Sequence, residues 1–132
     1  MKITNRGILE IRQALTALDG HPTPTSIENT KASVYLKPYD FTGSIRFRIG
    51  RILSTLNVIA QDIEKASDAI AKKYAVDNII PAPVVAAYTQ ERNNLLDIEN
   101  DVEITKLTEV DLKLDINPIP GSVLSVLNAI IA

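Results

Sequence analysis

The segment from Tyr35 to Arg51, YLKPYDFTGSIRFRIGR, holds the side chains of this chain best suited to binding chemistry. Lys37, Arg46, Arg48 and Arg51 supply positive charge, and Tyr35, Tyr39 and Phe47 supply rings. Guanidinium groups grip phosphate or carboxylate oxygens in pairs, and aromatic rings stack on heterocyclic bases. The pattern predicts a surface for a small anionic, nucleotide-type ligand or for an acidic protein. The chain has four tyrosines, two phenylalanines and no tryptophan, and four of those six rings (Tyr35, Tyr39, Phe41 and Phe47) fall in this one stretch.

Two features of the expected setting cost free energy unless something offsets them. Thr42 reads as the cap of a long helix, so Arg46 and Arg48 lie near its start, where positive charge opposes the helix macrodipole by about 0.3–1 kcal/mol each. Phe47 projects away from the apolar stripe of that helix, which leaves its ring in water unless a ligand or partner covers it. A competing reading packs Phe47 on the first or last helix. It pairs the arginines with the acidic stretch from Asp97 to Asp115, on the same or a neighbouring chain.

The inventory for catalysis is thin. There is no cysteine and one histidine, His21, so disulfides, thiolate metal sites and sites needing two imidazoles are excluded. The motifs G-x-S-x-G, G-x-G-x-x-G, H-E-x-x-H and the Walker loop are all absent. Gly43-Ser44 could hold an anion on backbone N–H groups but reads as an ordinary helix start, and His21 reads as surface decoration in a proline-rich loop. Asp97, Asp101 and Glu103 could serve a magnesium ion, yet their spacing is that of a solvated acidic helix face. The expectation is a non-enzymatic protein with no catalytic residue, no metal site and no cofactor.

Net charge is −2 over 132 residues, which argues against nucleic acid and an anionic membrane as partners. The charge is polarised along the chain. Between residues 31 and 51 five cations (Lys31, Lys37, Arg46, Arg48 and Arg51) face Asp40 alone, whereas between 97 and 115 seven acids face Lys106 and Lys113. The length predicts a single domain over 1–132, and the mixture of 45% hydrophobic and 23% charged residues is that of a folded chain. No apolar run is long enough to span a membrane and the start lacks a hydrophobic signal core, so a cytoplasmic setting is expected.

The elements that must position the cationic stretch follow from periodicity. Ile8, Ile11, Leu15 and Leu18 predict a helix over 5–18, capped by Thr4 or Asn5 and ended at Asp19-Gly20. Weak alternation predicts a strand over 32–37. Ile45, Ile49, Ile52, Leu56, Ile59, Ile63, Ala66 and Ile70 are spaced 4-3-4-3-4-3-4, which predicts a helix over 43–75. At 1.5 Å per residue it would be roughly 50 Å long, against a diameter of roughly 36 Å for a globule of this size. The seam is therefore expected to lie against another helix, and homo-oligomerisation through Ile45, Ile49, Ile52, Leu56, Ile59, Ile63 and Ile70 is the corresponding expectation.

Pro81-Ala82-Pro83 opens a third helix, predicted over 83–106 and folded back on the second as an antiparallel hairpin. Val110, Leu112, Leu114 and Ile116 alternate with charged residues and predict a strand over 109–117. Gly121-Ser122 then starts a short apolar helix, predicted over 122–131. The fold class expected is mainly α with a small β element, a helical hairpin with terminal helices and a two-stranded ribbon.

This order of features resembles small proteins of unknown function encoded by tailed bacteriophages. The matching residues are Lys2-Ile3-Thr4-Asn5 at the start, Tyr35-Leu36-Lys37, and Lys72-Lys73-Tyr74-Ala75 at the end of the long helix. Ala75 stands where glycine is usual, and the loop from Gly20 to Thr30 is long. The resemblance implies a phage gene and a host-cytoplasm setting, and it transfers no catalytic residue. Together with the cationic stretch it leads to the expectation of a homo-oligomeric accessory protein that sequesters a nucleotide-type host immune signal. The alternative is a virion-assembly or host-factor-inhibiting protein whose cationic stretch docks an acidic protein surface.

Overall fold

The heptad stretch is one uninterrupted helix. The computed structural model describes residues 1–19 and 39–132, and the elements in chain order are β1 (Lys2–Thr4), α1 (Asn5–Asp19), α2 (Gly43–Tyr74), α3 (Val85–Leu96), β2 (Glu99–Asp101), α4 (Glu109–Leu112) and α5 (Gly121–Leu127). Short 3-10 turns precede α3 at Ala82–Val84 and follow α5 at Asn128–Ile130. The architecture is mainly helical with a small antiparallel β element, as expected. The strand expected over 32–37 lies outside the described residues.

Residues gather into two compact units, one formed by Met1–Leu9 with Thr55–Glu103 and the other by Glu10–Ser54 with Ile104–Ala132. In the first unit, β1 and β2 pair antiparallel with Lys2 opposite Asp101, Ile3 opposite Asn100 and Thr4 opposite Glu99. Ile3 turns inward from this ribbon and is buried. The Thr4 hydroxyl accepts from the Gly7 N–H at 3.1 Å and so caps the start of α1. Asn5 is buried but fully employed: its Nδ2 donates to the Leu95 carbonyl at 2.7 Å, its N–H to the Ile98 carbonyl at 2.8 Å, and its Oδ1 accepts from Asn100 Nδ2 at 2.7 Å.

Those bonds correct the helix expected over 83–106. Its apolar spacing continues past Leu96, yet the helix stops there because residues 99–101 exchange ladder hydrogen bonds with the chain start, 97 residues away. A local pattern carries no signal for so distant a partner. The hairpin expected between α2 and α3 forms through a tight turn: Val76 and Ile79 bridge across Asp77 and Asn78, whose φ angles of 53° and 64° lie in the left-handed region that Asp and Asn tolerate. Lys73 and Glu91 pair at 3.1 Å, and the Tyr74 and Tyr88 rings meet edge-on at 6.1 Å, clasping the two arms. The ion pair raises the Lys73 pKa and lowers that of Glu91, with Tyr74 hydrogen bonding the larger cause for Glu91.

In the second unit the strand expected over 109–117 is a short helix and turn instead. Thr108 and Asp111 form a reciprocal capping box, the Thr108 hydroxyl accepting from the Asp111 N–H and the Asp111 carboxylate from the Thr108 N–H, both at 3.0 Å. Lys113 then takes the left-handed conformation (φ 48°) and ends the turn of helix. The four alternating apolar residues consequently scatter: Leu112 is fully buried, while Val110 is 84% and Ile116 56% exposed. Asn117 closes the segment from beneath, accepting from the Asp40 N–H at 2.8 Å and donating to the carbonyls of Leu112 at 2.8 Å and Asp40 at 3.1 Å.

The chain end is pinned by main-chain bonds, from Leu107 N–H to the Ile130 carbonyl at 2.9 Å and from Ala132 N–H to the Leu107 carbonyl at 2.7 Å. The terminal helix expected over 122–131 is thus α5 followed by a 3-10 turn.

Along α2, Ile45, Ile49, Ile52, Leu56 and Ile63 are buried within one chain, while Ile59 and Ile70 are half-buried. Ala60, rather than Ile59, takes the inner position and is fully buried. The buried stripe drifts because a straight helix turns every 3.6 residues and a heptad seam repeats every 3.5. Burial inside one chain accounts for the spacing of those five residues without a second copy. Replacing Leu56 with alanine should cost about 2–5 kcal/mol of unfolding free energy in urea, whereas alanine at Val58, which is 64% exposed, should change it by less than about 0.5 kcal/mol.

Candidate interaction site

The cationic–aromatic stretch enters the described structure at Tyr39; Tyr35 and Lys37 lie outside it. Phe41 is buried and anchors the approach to α2, with the Tyr39 ring 5.9 Å from it. The Thr42 hydroxyl accepts from the Ile45 N–H at 3.3 Å, so α2 begins where its cap residue predicts. Ile45 and Ile49 face inward, and this phase fixes the rest: Arg46, Phe47 and Arg51 are exposed, and Arg48 lies at the edge.

Each arginine has an internal partner. Arg46 Nη2 donates to the Tyr39 carbonyl at 2.8 Å, which ties the first turn of α2 to the backbone at Tyr39. Arg51 sits with its guanidinium carbon 5.8 Å from the Phe47 ring centroid, a cation–π pair one helical turn apart. Arg48 Nη1 donates to Asp111 Oδ2 at 3.3 Å, the same oxygen that accepts from the Thr108 N–H. The expectation that the arginines pair with the acidic stretch on the same chain therefore holds for Arg48. Packing of Phe47 on the first or last helix does not hold, since the ring is 66% exposed.

Asp111 was missed as a site residue because the alternating pattern placed it on the wet face of a strand. The signal that could have found it is Thr108-x-x-Asp111, a capping-box spacing ahead of Leu112. Next to it an open groove of about 630 Å³ is lined by Glu109, Val110, Lys113, Leu114, Asp115 and Ile116. Lys113 Nζ stands 4.0 Å from the Asp40 carboxylate.

Two of the three acidic residues considered for a metal have other partners: Asp97 Oδ1 pairs with Arg6 at 2.6 Å and Asp101 with the N-terminal amine at 3.4 Å. No group of three or more His, Cys, Asp and Glu residues among the described ones is arranged to hold a metal ion. No described helix is long and apolar enough to cross a membrane.

The Thr108 amide is the largest influence on the Asp111 carboxyl and holds it below its ordinary pKa of 3.8, with the Thr108 hydroxyl and Arg48 adding to the shift and burial opposing it. A carboxyl whose folded pKa is depressed stabilises the fold above its unfolded pKa and loses that contribution as pH falls through the folded one. Acidification below pH of about 4 should therefore weaken the second unit, and Asp111→Asn should flatten that part of a stability–pH profile followed by chemical denaturation. Arg48→Ala, with its side chain 36% exposed, should cost at most about 1 kcal/mol and leave the fold intact. Comparison of the chain with protein-family models, curated proteins and solved structures finds no match in any of the three.

Proposed function

We propose that this chain is a non-enzymatic interaction protein that docks an acidic protein surface through Arg46, Phe47 and Arg51, in the phage and host-cytoplasm setting that the resemblance implies. The observation that carries the reading is the Phe47 ring, 66% exposed on a rigid helix with a guanidinium stacked at 5.8 Å. Covering such a ring contributes roughly 1–2 kcal/mol to binding. Aromatic and arginine anchors of this kind carry a large share of binding energy at protein interfaces. Arg46 retains donors for carboxylates, because it spends one Nη on Tyr39 and a guanidinium has five N–H groups. Docking outward also suits a stretch whose cations already hold internal partners, since those bonds pre-set the side-chain positions.

A second reading, sequestration of a nucleotide-type host signal, is favoured by the same ring and guanidinium at the start of α2, where the macrodipole attracts anions. Titration followed by amide NMR separates the two. A synthetic peptide alternating glutamate and tyrosine should shift the Arg46, Phe47 and Arg51 amides, and the shifts should weaken with salt and disappear in Phe47→Ala. Shifts produced by cyclic dinucleotides or ADP-ribose and not by the peptide would transfer the site to the second reading. A segment silent to both would overturn the docking proposal.

A further inference from the structure

The unit that carries the cationic–aromatic face also carries its chemical complement. Val110 and Ile116, 84% and 56% exposed, stand at the open groove with Leu114 between them. Glu109 and Asp115 lie on the same groove, and no ion-pair partner faces either of them among the described residues. Lys113, the groove's one cation, is turned to Asp40. Such a groove offers apolar lining to a ring and carboxylates to guanidinium groups, which are what Phe47, Arg46 and Arg51 bring.

The two surfaces adjoin. Phe47 precedes Arg48 on α2, Val110 precedes Asp111 on α4, and the Arg48–Asp111 pair at 3.3 Å joins the two helices. A surface with a cationic–aromatic half and an acidic–apolar half beside one another is complementary to itself under a two-fold rotation, because the rotation lays each half on its opposite. Like would meet like in a parallel displacement, which the charges disfavour.

We infer that a second copy of this chain is the acidic partner: Phe47 and Arg51 of each copy seat on the Glu109–Ile116 groove of the other, giving a two-fold dimer. This inference rests on the docking reading above and names its partner. It differs from assembly through the α2 seam, whose inner residues are occupied inside one chain.

Charge reversal tests it. Sedimentation equilibrium of the full chain should give a mass rising with concentration toward twice 14.5 kDa. Arg46→Glu with Arg51→Glu in one variant, and Glu109→Lys with Asp115→Lys in another, should each sediment as a monomer while keeping the circular dichroism of the parent. Mixed in equal amounts, the two variants should dimerise again, since each contact in the mixed pair joins opposite charges. A parent that stays monomeric at all concentrations overturns the dimer. So does a parental dimer that both variants leave unchanged, or a pair of folded monomeric variants that fail to recombine. If the monomeric parent still binds the glutamate–tyrosine peptide at Phe47, the docking reading survives and only its partner is wrong; loss of peptide binding as well ends both.

Discussion

A helix end cannot be buried with its amides and carbonyls unpaired, and two asparagines meet that constraint in this chain. Asn5 is 5% exposed and spends its side chain on the Leu95 carbonyl and on Asn100, stitching the start of α1 to the end of α3 and to β2. Asn117, equally buried, joins the backbone on either side of Asp40 to the end of α4. Removing either amide would strand buried backbone groups, each at about 1–3 kcal/mol, so these two side chains define where the elements of each unit stop. No buried side-chain polar atom among the described residues is left without a partner.

Local electrostatics build the candidate site on that frame. One oxygen of Asp111 starts α4 by accepting from Thr108 and holds Arg48 at the same time. Arg48 is thereby held at the edge of the face by an internal carboxylate, and the exposed arginines beside the uncovered Phe47 are Arg46 and Arg51. Arg46 and Arg48 near a helix N-terminus work against the macrodipole, and the ring adds exposed apolar surface. Sequences carry such costs at functional positions more often than elsewhere. The residues at the chain start and at the end of α2 serve a structural end: Lys2 to Asn5 make the ribbon edge and the cap of α1, and Lys73 and Tyr74 clasp the hairpin.

Much of this was legible in the residues themselves. Helices α1 and α2, the Thr42 cap and the outward phase of Phe47 follow from periodicity and capping chemistry that act within a few residues. These are local effects, because helix phase and cap bonding depend on neighbours three or four positions away. The end of α3 at Leu96 and the identity of the β pair were decided by contacts between residue pairs nearly a hundred positions apart. The Val110–Ile116 segment is the instructive case. Its alternation is a sound strand signal, yet the Thr108–Asp111 box and the Asn117 clip satisfy its backbone groups in a turn of helix. What the sequence alone determined was the helical framework and the chemistry of its cationic face; which acids meet that face, and which apolar residues remain in water, only the tertiary fold decided, because backbone satisfaction and burial are settled by partners that no local pattern names.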